Sequence, residues 1–290
     1  MEKVYDVIVL GGGPAGISAG IYALRAGISV LIIDFGKSSL ENAKIIENYY
    51  GVEPISGKDL KEKGINQFVS LGGNINKELV VSVRQDFAND LFIVKTNINQ
   101  YIAKSIIICT GVVKQKNISG LDKYQGKNVS YCAVCDGFFY RGKTVAVIGD
   151  KEFALSECEE LSKLAKEVIL LTNGKKNLNY NIKNVRTVSE EIDGFIGEDF
   201  ISSVVLKNGQ SINVDGVFVA LGTLSSFEMA KQLGLMVNDN FIEVDKNYMT
   251  NVAGIFAAGD VIGGLLQVAK AVSDGAHAGL AVVKYLRNKG

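Results

Sequence analysis

A short apolar run leads directly into a glycine-rich loop, and this junction limits the possible fold more than any other feature. Val7-Ile8-Val9-Leu10 is followed at once by Gly11-Gly12-Gly13-Pro14-Ala15-Gly16, and then by a helical stretch over residues 17–26. In a strand, G-x-G-x-x-G, helix pattern the first glycine (Gly11) makes the tight turn and the second (Gly13) lets the backbone approach a pyrophosphate. The third (Gly16) lets the helix pack on the strand. The pattern predicts a dinucleotide site, with the phosphates facing the helix N-terminus.

The residues after this helix continue the same pattern. A second strand is predicted over residues 28–33, and it ends at Asp34. An acidic residue about 20 positions beyond the loop, at the end of a strand, is where a ribose hydroxyl would be bound. Strand, loop, helix and terminal acid in this order indicate a working dinucleotide site rather than a chance run of glycines.

A second copy of the layout is predicted near the middle of the chain. Residues 143–148 form a candidate strand, residues 154–166 a helix and residues 167–172 another strand. The intervening loop is Gly149-Asp150-Lys151-Glu152-Phe153-Ala154, with Lys151 where a phosphate-binding loop has its second glycine. Asp150 and Glu152 also place two negative charges where a pyrophosphate would lie, which is repulsive unless Lys151 screens them. The sequence therefore predicts that the fold is repeated and that nucleotide binding is not.

The remaining elements complete an α/β chain. A β-meander is predicted over residues 90–103, a buried strand over 104–110, and a late strand over 254–261 followed by a helix over 267–288. Asp260 is placed at the carboxyl end of the late strand, on the ligand side of an open sheet, although capping the following helix is an alternative. The predicted fold class is α/β, with two Rossmann-like three-layer domains, the second inserted into the first. The predicted boundaries are 1–114 with 243–290, and 115–242.

Charge and hydropathy exclude several classes of protein. The 290 residues contain 31 Lys and Arg against 31 Asp and Glu, which removes the positive charge that a dedicated nucleic-acid binder carries. The sequence has no apolar run of the roughly 18 to 20 residues that a membrane-spanning helix needs. The N-terminal apolar run is short, contains an acid and lacks the features of a secretory signal. We therefore expect a soluble, cytoplasmic protein that binds neither nucleic acid nor membrane.

The segment with reactive side chains is Cys132-Ala133-Val134-Cys135-Asp136. Two thiols separated by two residues can close a disulfide, and a place at the start of a helix lowers the pKa of one thiol. A zinc site is the alternative, but His277 is the only histidine and is remote in sequence, so no metal site is predicted. Two unreactive thiols are the third possibility. Asp136 directly follows the pair, and its two candidate roles are general acid and helix cap.

The other cysteines and the histidine are interpreted as structural. Cys109 lies in an apolar strand, and Cys158 lies among glutamates on a helix. His277 lies among alanines and glycines in the last helix, with no partner visible. None of the three is assigned to catalysis.

The assembled motifs resemble the low-molecular-weight flavin thioredoxin reductases along nearly the whole chain. The motifs are the loop Gly11 to Gly16, Glu47-Asn48 before Gly51, Thr110-Gly111, Cys132 to Tyr140, Thr250-Asn251 with Gly254 to Val261, and Gln267. The resemblance implies FAD as the cofactor. It places FAD against Gly11, Gly13, Pro14, Ala15, Gly16, Asp34, Asn48, Val81, Thr110, Gly111, Gly259, Asp260, Gln267 and Val268. It also implies that Cys135 faces the flavin, that Cys132 attacks the disulfide of thioredoxin, that Asp136 donates a proton, and that the protein is a homodimer.

The departures from the family pattern concern the electron donor. Members that use NADPH have a glycine-rich second loop and a His-Arg-Arg run, where this chain has Gly149-Asp150-Lys151-Glu152-Phe153 and Thr172-Asn173-Gly174. Arginine forks normally hold a 2′-phosphate, and Lys175-Lys176 could replace them only in part. Leu266 stands where many relatives have arginine. The pattern is most similar to the ferredoxin-dependent flavin thioredoxin reductases, so reduced ferredoxin is the expected donor. Weak use of NADPH or NADH, a second flavin in the second domain, and a redox-sensing flavoprotein without turnover remain as alternatives.

Overall fold

The structure is a computed structural model that describes residues 3–36, 38–111, 118–124, 127–175, 179–222, 224 and 226–289. The chain divides into two compact units, Met1–Val113 with Ser225–Gly290 and Lys114–Leu224. The second unit is therefore inserted into the first, as the sequence predicts. Both units are of the α/β class and contain a five-stranded parallel sheet.

The secondary structure alternates between strands and helices along the chain. The strands are β1 (Val4–Tyr5), β2 (Val7–Leu10), β3 (Val30–Ile33), β4 (Asn74–Asn76), β5 (Val80–Asp86), β6 (Leu91–Thr96), β7 (Gln100–Ala103), β8 (Ile106–Ile108), β9 (Val129–Ser130), β10 (Thr144–Ile148), β11 (Glu167–Leu171), β12 (Val185–Val188), β13 (Ile192–Ile196), β14 (Ser203–Leu206), β15 (Ser211–Asn213), β16 (Gly216–Val219), β17 (Val237–Asn238), β18 (Phe241–Ile242) and β19 (Ile255–Ala257). The helices are α1 (Pro14–Arg25), α2 (Gly57–Ser70), α3 (Ala133–Asp136), α4 (Glu152–Ser162), α5 (Ser226–Gln232) and α6 (Val268–Lys289). Short 3₁₀ turns occur at Ser39–Asn42, Asp122–Tyr124, Gly137–Tyr140 and Asp260–Ile262.

The parallel sheet of the first unit has the strand order β19-β8-β2-β3-β4. All four residues of β2 and all four of β3 are buried, as expected for β-branched and leucine side chains in a sheet covered on both faces. The predicted strands at 7–10, 28–33, 104–110 and 254–261 are confirmed within a few residues. Their carboxyl ends lie along one edge of the sheet because the strands are parallel.

A second sheet in the first unit has the order β1-β7-β6-β5. Strands β6 and β7 form the predicted meander over residues 90–103, and β5 pairs with β6 in the antiparallel direction. The sequence interpretation missed β5, whose residues 80–86 alternate between buried and less buried positions. Val81 is one of its buried residues, 3% exposed.

Helix α6 packs closely on α1 in the first unit. A Cβ atom on Gly275 would lie 2.1 Å from the carbonyl oxygen of Ala15, and one on Gly279 would lie 2.5 Å from that of Ala19. Only glycine permits this approach of the two backbones. Although α6 has 22 residues, it carries several charges, and no helix in the described part of the chain is long and apolar enough to cross a membrane.

The second unit has a parallel sheet in the order β12-β11-β10-β16-β9 and a three-stranded antiparallel sheet, β13-β14-β15. The predicted strand, helix and strand over 143–172 are confirmed as β10, α4 and β11. Helix α4 begins at Glu152, two residues earlier than predicted, and ends at Ser162. Its buried residues are mostly apolar, among them Phe153, Cys158 and Leu161, but they also include Glu157.

Residues 225–242 belong to the first unit, whereas the sequence placed the boundary at 243. Helix α5 contacts β5, where the side-chain oxygen Oε1 of Gln232 accepts a 3.3 Å hydrogen bond from the backbone N–H of Val83. Asn251 also binds this segment, because its Nδ2 donates to the carbonyl of Gly234 at 2.9 Å. The composition of residues 225–242 carries no sign of these long-range contacts.

Candidate active site

The glycine loop of the first unit forms a tight turn between β2 and α1. Gly11 has φ +106°, and a Cβ atom there would lie 2.4 Å from the carbonyl oxygen of Cys109. A Cβ on Gly16 would lie 1.9 Å from the carbonyl oxygen of Gly11. Gly13 is the N-cap of α1 with no side chain bonded to the cap, and Pro14 occupies the first helical turn. The first amides of α1 are thus available to an anionic group, as the sequence predicts.

Asp34 lies at the carboxyl end of β3, beside the glycine loop. Its Oδ1 accepts a 3.1 Å hydrogen bond from the N–H of Gly12, and its Oδ2 lies 3.0 Å from Nζ of Lys61. Both side chains are nearly buried, with 12% and 6% exposed. The strand-end position of Asp34 is as predicted. The sequence interpretation missed Lys61, because a lysine in a mostly polar helix looks like a surface residue.

Most of the predicted cofactor residues line one cavity of about 290 Å³ in the first unit. They come from the glycine loop, the ends of β3, β8 and β19, and the start of α6: Gly11, Gly13, Pro14, Ala15, Asp34, Thr110, Gly111, Asp260, Gln267 and Val268. Asn48 joins this group through Gln267, because its Nδ2 donates a 2.9 Å hydrogen bond to Oε1 of Gln267. Gly16 lies behind the loop, Gly259 precedes Asp260 with φ +84°, and Val81 is buried in β5 and does not line the cavity.

The cavity contains a polar atom that lacks a partner. Oγ1 of Thr110 is buried and makes no hydrogen bond within the described part of the chain. A buried hydroxyl without a partner costs free energy, so a polar ligand at this position would stabilise the site. The glycine turn, the open N-terminus of α1 and this hydroxyl are together suited to an FAD molecule bound along the cavity.

A lysine and an aspartate in α6 hold the loop that carries Asp260. Nζ of Lys270 lies 2.8 Å from Oδ2 of Asp274 and donates to the carbonyl oxygens of Gly259 and Gly263. Oδ2 of Asp274 also accepts from the N–H of Gly259 at 3.3 Å. Burial raises the pKa of Asp260, and the nearby Lys270 partly offsets this effect. The spacing of Lys270 and Asp274 was visible in the sequence, but their role in this loop depends on the fold.

The two cysteines of the predicted redox pair form a disulfide in the second unit. Cys132 and Cys135 are joined, with a Cα–Cα distance of 5.4 Å. Cys132 is the N-cap of α3, and its Sγ accepts a 3.1 Å hydrogen bond from the N–H of Cys135. Cys132 is buried, whereas Cys135 is exposed. The CxxC segment therefore starts a helical turn, as predicted, with one sulfur inside and one facing solvent.

Ser130 connects the disulfide segment with Asp136. Its hydroxyl donates a 2.6 Å hydrogen bond to Oδ2 of Asp136 and accepts one from the N–H of Cys132 at 3.1 Å. Asp136 is thus held on the same short segment as both cysteines. The sequence interpretation did not single out Ser130, since a serine two residues before a cysteine has no signature of its own.

The residues interpreted as structural lie as expected. Cys109 and Cys158 are free, buried thiols, and burial raises the pKa of each far above its ordinary value. His277 is on the exposed side of α6, where its ring stacks on Tyr248 at 5.6 Å. Within the described ranges, no group of three or more His, Cys, Asp and Glu side chains could hold a metal ion.

The second unit keeps the nucleotide turn without its open loop. A Cβ on Gly149 would lie 2.2 Å from the carbonyl oxygen of Ala220 and 2.6 Å from Cβ of Ala154, so close packing still requires glycine here. Lys151 is the N-cap of α4, and Glu152 is in its first turn. The geometry of the turn has been retained, while the residues at the helix N-terminus are charged and bulky.

The turn after β11 is closed by its own side chains. Oγ1 of Thr172 donates to the carbonyl of Lys175 at 2.9 Å, and Oδ1 of Asn173 accepts from the N–H of Ile192 at 2.8 Å. The side chain of Glu191 lies against Gly174, with its Cγ 2.8 Å from the position of a Cβ on that glycine. Lys176, which the sequence considered as a substitute for arginine, lies outside the described residues.

One Rossmann-like unit has the glycine turn of a nucleotide site, and the other has a CxxC disulfide. Together these features define a flavoprotein disulfide oxidoreductase. A family model described as pyridine nucleotide-disulphide oxidoreductase matches residues 5–275. Thioredoxin reductase of Ureaplasma parvum serovar 3 is 31% identical, with 98% of each chain covered. The chain belongs to this family and, within it, to the low-molecular-weight thioredoxin reductases.

Two solved structures are similar along the whole chain. The atypical thioredoxin reductase TRi from Desulfovibrio vulgaris Hildenborough has a TM-score of 0.90 and 32% identity, with coverage of 98% of this chain and 99% of that one. A ferredoxin-flavin thioredoxin reductase from Clostridium acetobutylicum has a TM-score of 0.73 and 31% identity, with coverage of 99% and 100%. These similarities confirm the two-domain α/β fold and the disulfide reductase class predicted from the sequence.

The ion pair of Lys61 and Asp34 yields a prediction about stability. Replacing Lys61 by methionine leaves a buried carboxylate without its counter-charge, so we expect the free energy of unfolding to fall by about 3 kcal/mol. Lys63→Met is the matched control, because Lys63 is exposed on the same helix, and we expect a change within about 0.5 kcal/mol. Urea unfolding followed by circular dichroism measures both. Equal effects of the two variants would contradict the structural role of Lys61.

Proposed function

We propose that this chain reduces thioredoxin, with electrons that pass from reduced ferredoxin through FAD to the Cys132–Cys135 disulfide, and that it works as a homodimer. The names of its relatives support the acceptor, since the relative from Ureaplasma parvum is a thioredoxin reductase. The observation that carries the choice of donor is the form of the two second-unit turns where NADPH-using relatives would bind the nucleotide. One has Lys151 between two carboxylates in place of a glycine, and the other is closed by hydrogen bonds of Thr172 and Asn173. The similarity to a ferredoxin-flavin thioredoxin reductase agrees with that choice.

The cavity of the first unit is the proposed FAD site. The glycine turn and the N-terminus of α1 would receive the pyrophosphate, and Asp34 would lie nearest the ribose of the adenosine half. Thr110, Asp260 and Gln267 would contact the remainder of the cofactor. When bound, FAD accepts single electrons and delivers a pair, which suits a one-electron donor and a two-electron disulfide.

The loop after β10 argues against a pyrophosphate in the second unit. A phosphate-binding loop needs a glycine at the position of Lys151, so that backbone amides can touch the ligand. The carboxylates of Asp150 and Glu152 flank this position in sequence and would repel the phosphates. The single charge of Lys151 does not outweigh two carboxylates and the pyrophosphate together.

The turn after β11 argues against a 2′-phosphate. Lys207 beside Glu191, at 2.5 Å, holds the pKa of that carboxyl below its ordinary value, so Glu191 is charged at neutral pH. The side chain of Glu191 thus occupies the space beside Gly174, in the turn where a 2′-phosphate would be bound, and its charge is engaged by Lys207. The side-chain oxygens of Thr172 and Asn173 already bond to Lys175 in the turn and to Ile192 at the start of β13, and residues 172–175 contain no arginine. This turn therefore favours a donor without a pyridine nucleotide.

The CxxC segment is suited to thiol–disulfide exchange. After reduction, Sγ of Cys132 at the N-cap would keep the N–H of Cys135 as a hydrogen-bond donor, which stabilises a thiolate at Cys132. This thiolate would attack one sulfur of the thioredoxin disulfide and release the other as a thiolate. Cys135 would then attack Sγ of Cys132 in the mixed disulfide, which frees the second thioredoxin sulfur and restores the Cys132–Cys135 bond. Because Cys132 is buried in the disulfide form, the first step requires the α3 turn to open.

Asp136 and the exposed apolar residues around α3 complete the proposed site. The hydrogen bond from Ser130 orients the carboxyl of Asp136, which would protonate the departing thiolate. Val134, Phe138 and Phe139 each expose more than half of their surface, at 56%, 67% and 70%. Large exposed apolar side chains next to a reactive disulfide are typical of a surface that receives a partner protein.

The use of a pyridine nucleotide is the second candidate function. The matching family is described as a pyridine nucleotide-disulphide oxidoreductase family, and Gly149 keeps the tight turn of a nucleotide fold. Under this alternative Lys151 would have to screen both neighbouring carboxylates.

The electron donor can be tested by anaerobic absorbance titration of the FAD-loaded protein. We expect reduced ferredoxin to bleach the flavin band near about 450 nm promptly. We expect NADPH and NADH to act at least about a hundredfold more slowly, because Lys151 and its two flanking carboxylates replace an open phosphate loop and residues 172–175 contain no arginine. Prompt bleaching by NADPH would show that the ferredoxin proposal is wrong and would support the second candidate.

The division of labour between the cysteines is tested by two serine variants. Cys135→Ser removes the resolving thiol, so we expect a stable mixed disulfide between Cys132 and thioredoxin, visible by mass spectrometry under non-reducing conditions. Cys132→Ser is the matched control and should give no such adduct. An adduct on Cys132→Ser alone would reverse the two roles and would agree with the exposure of Cys135 in the disulfide form.

A further inference from the structure

Glu157 is a buried carboxylate that contacts the disulfide segment, and the proposed mechanism gives it no role. It lies in α4 with 2% of its surface exposed. Its Oε2 accepts a 2.6 Å hydrogen bond from the N–H of Ala133, the residue that follows Cys132. Its neighbours on α4, including Phe153 and Cys158, are fully buried apolar side chains. A carboxylate at such a position costs free energy, so its presence calls for an account beyond packing.

Two opposite effects act on the pKa of the Cys132 thiol in the reduced pair. The N–H of Cys135 points at Sγ of Cys132 and favours a thiolate there once the disulfide is reduced. The carboxylate of Glu157, which accepts a hydrogen bond from the N–H of the next residue, Ala133, disfavours a negative charge on Cys132. The second effect is already visible at Cys158, where burial and the charge of Glu157 both raise the pKa of the thiol.

The balance of these effects sets how strongly the reduced pair donates electrons. Reduction breaks the Cys132–Cys135 bond, takes up two electrons and two protons, and leaves two thiols. A thiolate forms when one of these protons is lost. Any group that stabilises the thiolate makes reduction easier and the dithiol a weaker reductant, and a group that destabilises it does the reverse.

We propose that Glu157 is a positioning residue for the redox pair, which fixes the start of α3 through Ala133 and keeps the dithiol strongly reducing through its negative charge. A dithiol that has to reduce a partner disulfide needs its equilibrium on the disulfide side. The inference rests on the redox-active disulfide and not on the proposed donor or acceptor.

Other titratable groups on α3, the turn that follows and α4 are Asp136, Tyr140 and Cys158. Burial is the largest cause of the raised pKa of Cys158, so this thiol stays protonated when Glu157 is replaced. Burial raises the pKa of Tyr140, and Asp136 raises it further, so this phenol is neutral at pH 8. Glu157→Gln therefore removes one charge, and its amide oxygen can still accept from Ala133.

The test is the equilibrium of the full-length, FAD-loaded protein with glutathione at pH 8. Two glutathione molecules become glutathione disulfide as the protein disulfide becomes a dithiol, and alkylation followed by mass spectrometry counts the two forms. We expect Glu157→Gln to shift the equilibrium constant about tenfold toward the dithiol, which is about 30 mV for a two-electron couple. Glu159→Gln, an exposed glutamate on the same helix, should stay within about twofold of wild type.

A further variant separates charge from geometry. Glu157→Asp keeps the negative charge, so we expect its equilibrium constant to stay closer to wild type than that of Glu157→Gln. An unchanged equilibrium in Glu157→Gln, a shift toward the disulfide, or an equal shift in Glu157→Asp would overturn the inference. Because the titration uses neither ferredoxin nor thioredoxin, a wrong donor or acceptor would leave its outcome unaffected.

Discussion

Close approach of backbone to backbone at the turn between the first strand and the next helix is the constraint on which both units depend. In the first unit this approach brings Gly11 against the carbonyl of Cys109, and in the second it brings Gly149 against the carbonyl of Ala220. A side chain at either glycine would clash with the backbone that follows the neighbouring strand. The shared turn explains why the two units have the same fold, and it places both helix N-termini at the carboxyl edge of a parallel sheet.

What differs between the two turns is charge and open space. At the first turn, the N-terminus of α1 has no side-chain cap and borders the cavity, and the charge of Asp34 is neutralised by Lys61. At the second turn, Lys151 occupies the place of a glycine between two acidic residues. The second unit has its disulfide at α3, where Ser130 and Glu157 accept hydrogen bonds from the backbone of Cys132 and Ala133, and Ser130 donates to Asp136. One fold thus carries the proposed cofactor site in the first unit and the disulfide in the second.

The sequence was sufficient for features that depend on local pattern. Buried strands such as 7–10, the glycine turn and the CxxC segment follow from residues that are neighbours in the chain, so their positions could be predicted closely. The partners of those residues could not be predicted, because Lys61, Glu157 and Lys270 act through contacts between distant elements. The boundary near 225 was missed for the same reason, since only the fold brings α5 to β5. Strand β5 was missed because residues 80–86 include Arg84 and Gln85, which weaken the apolar alternation.

We propose above all that the second unit has the nucleotide-binding fold but does not bind a pyridine nucleotide. Isothermal titration calorimetry of NADPH into the oxidised, FAD-loaded protein measures this directly, without dependence on turnover. The account predicts no saturable binding, with a Kd weaker than about 1 mM. A Kd in the micromolar range would contradict it, because the side chains of Asp150, Lys151 and Glu152 would then not prevent binding.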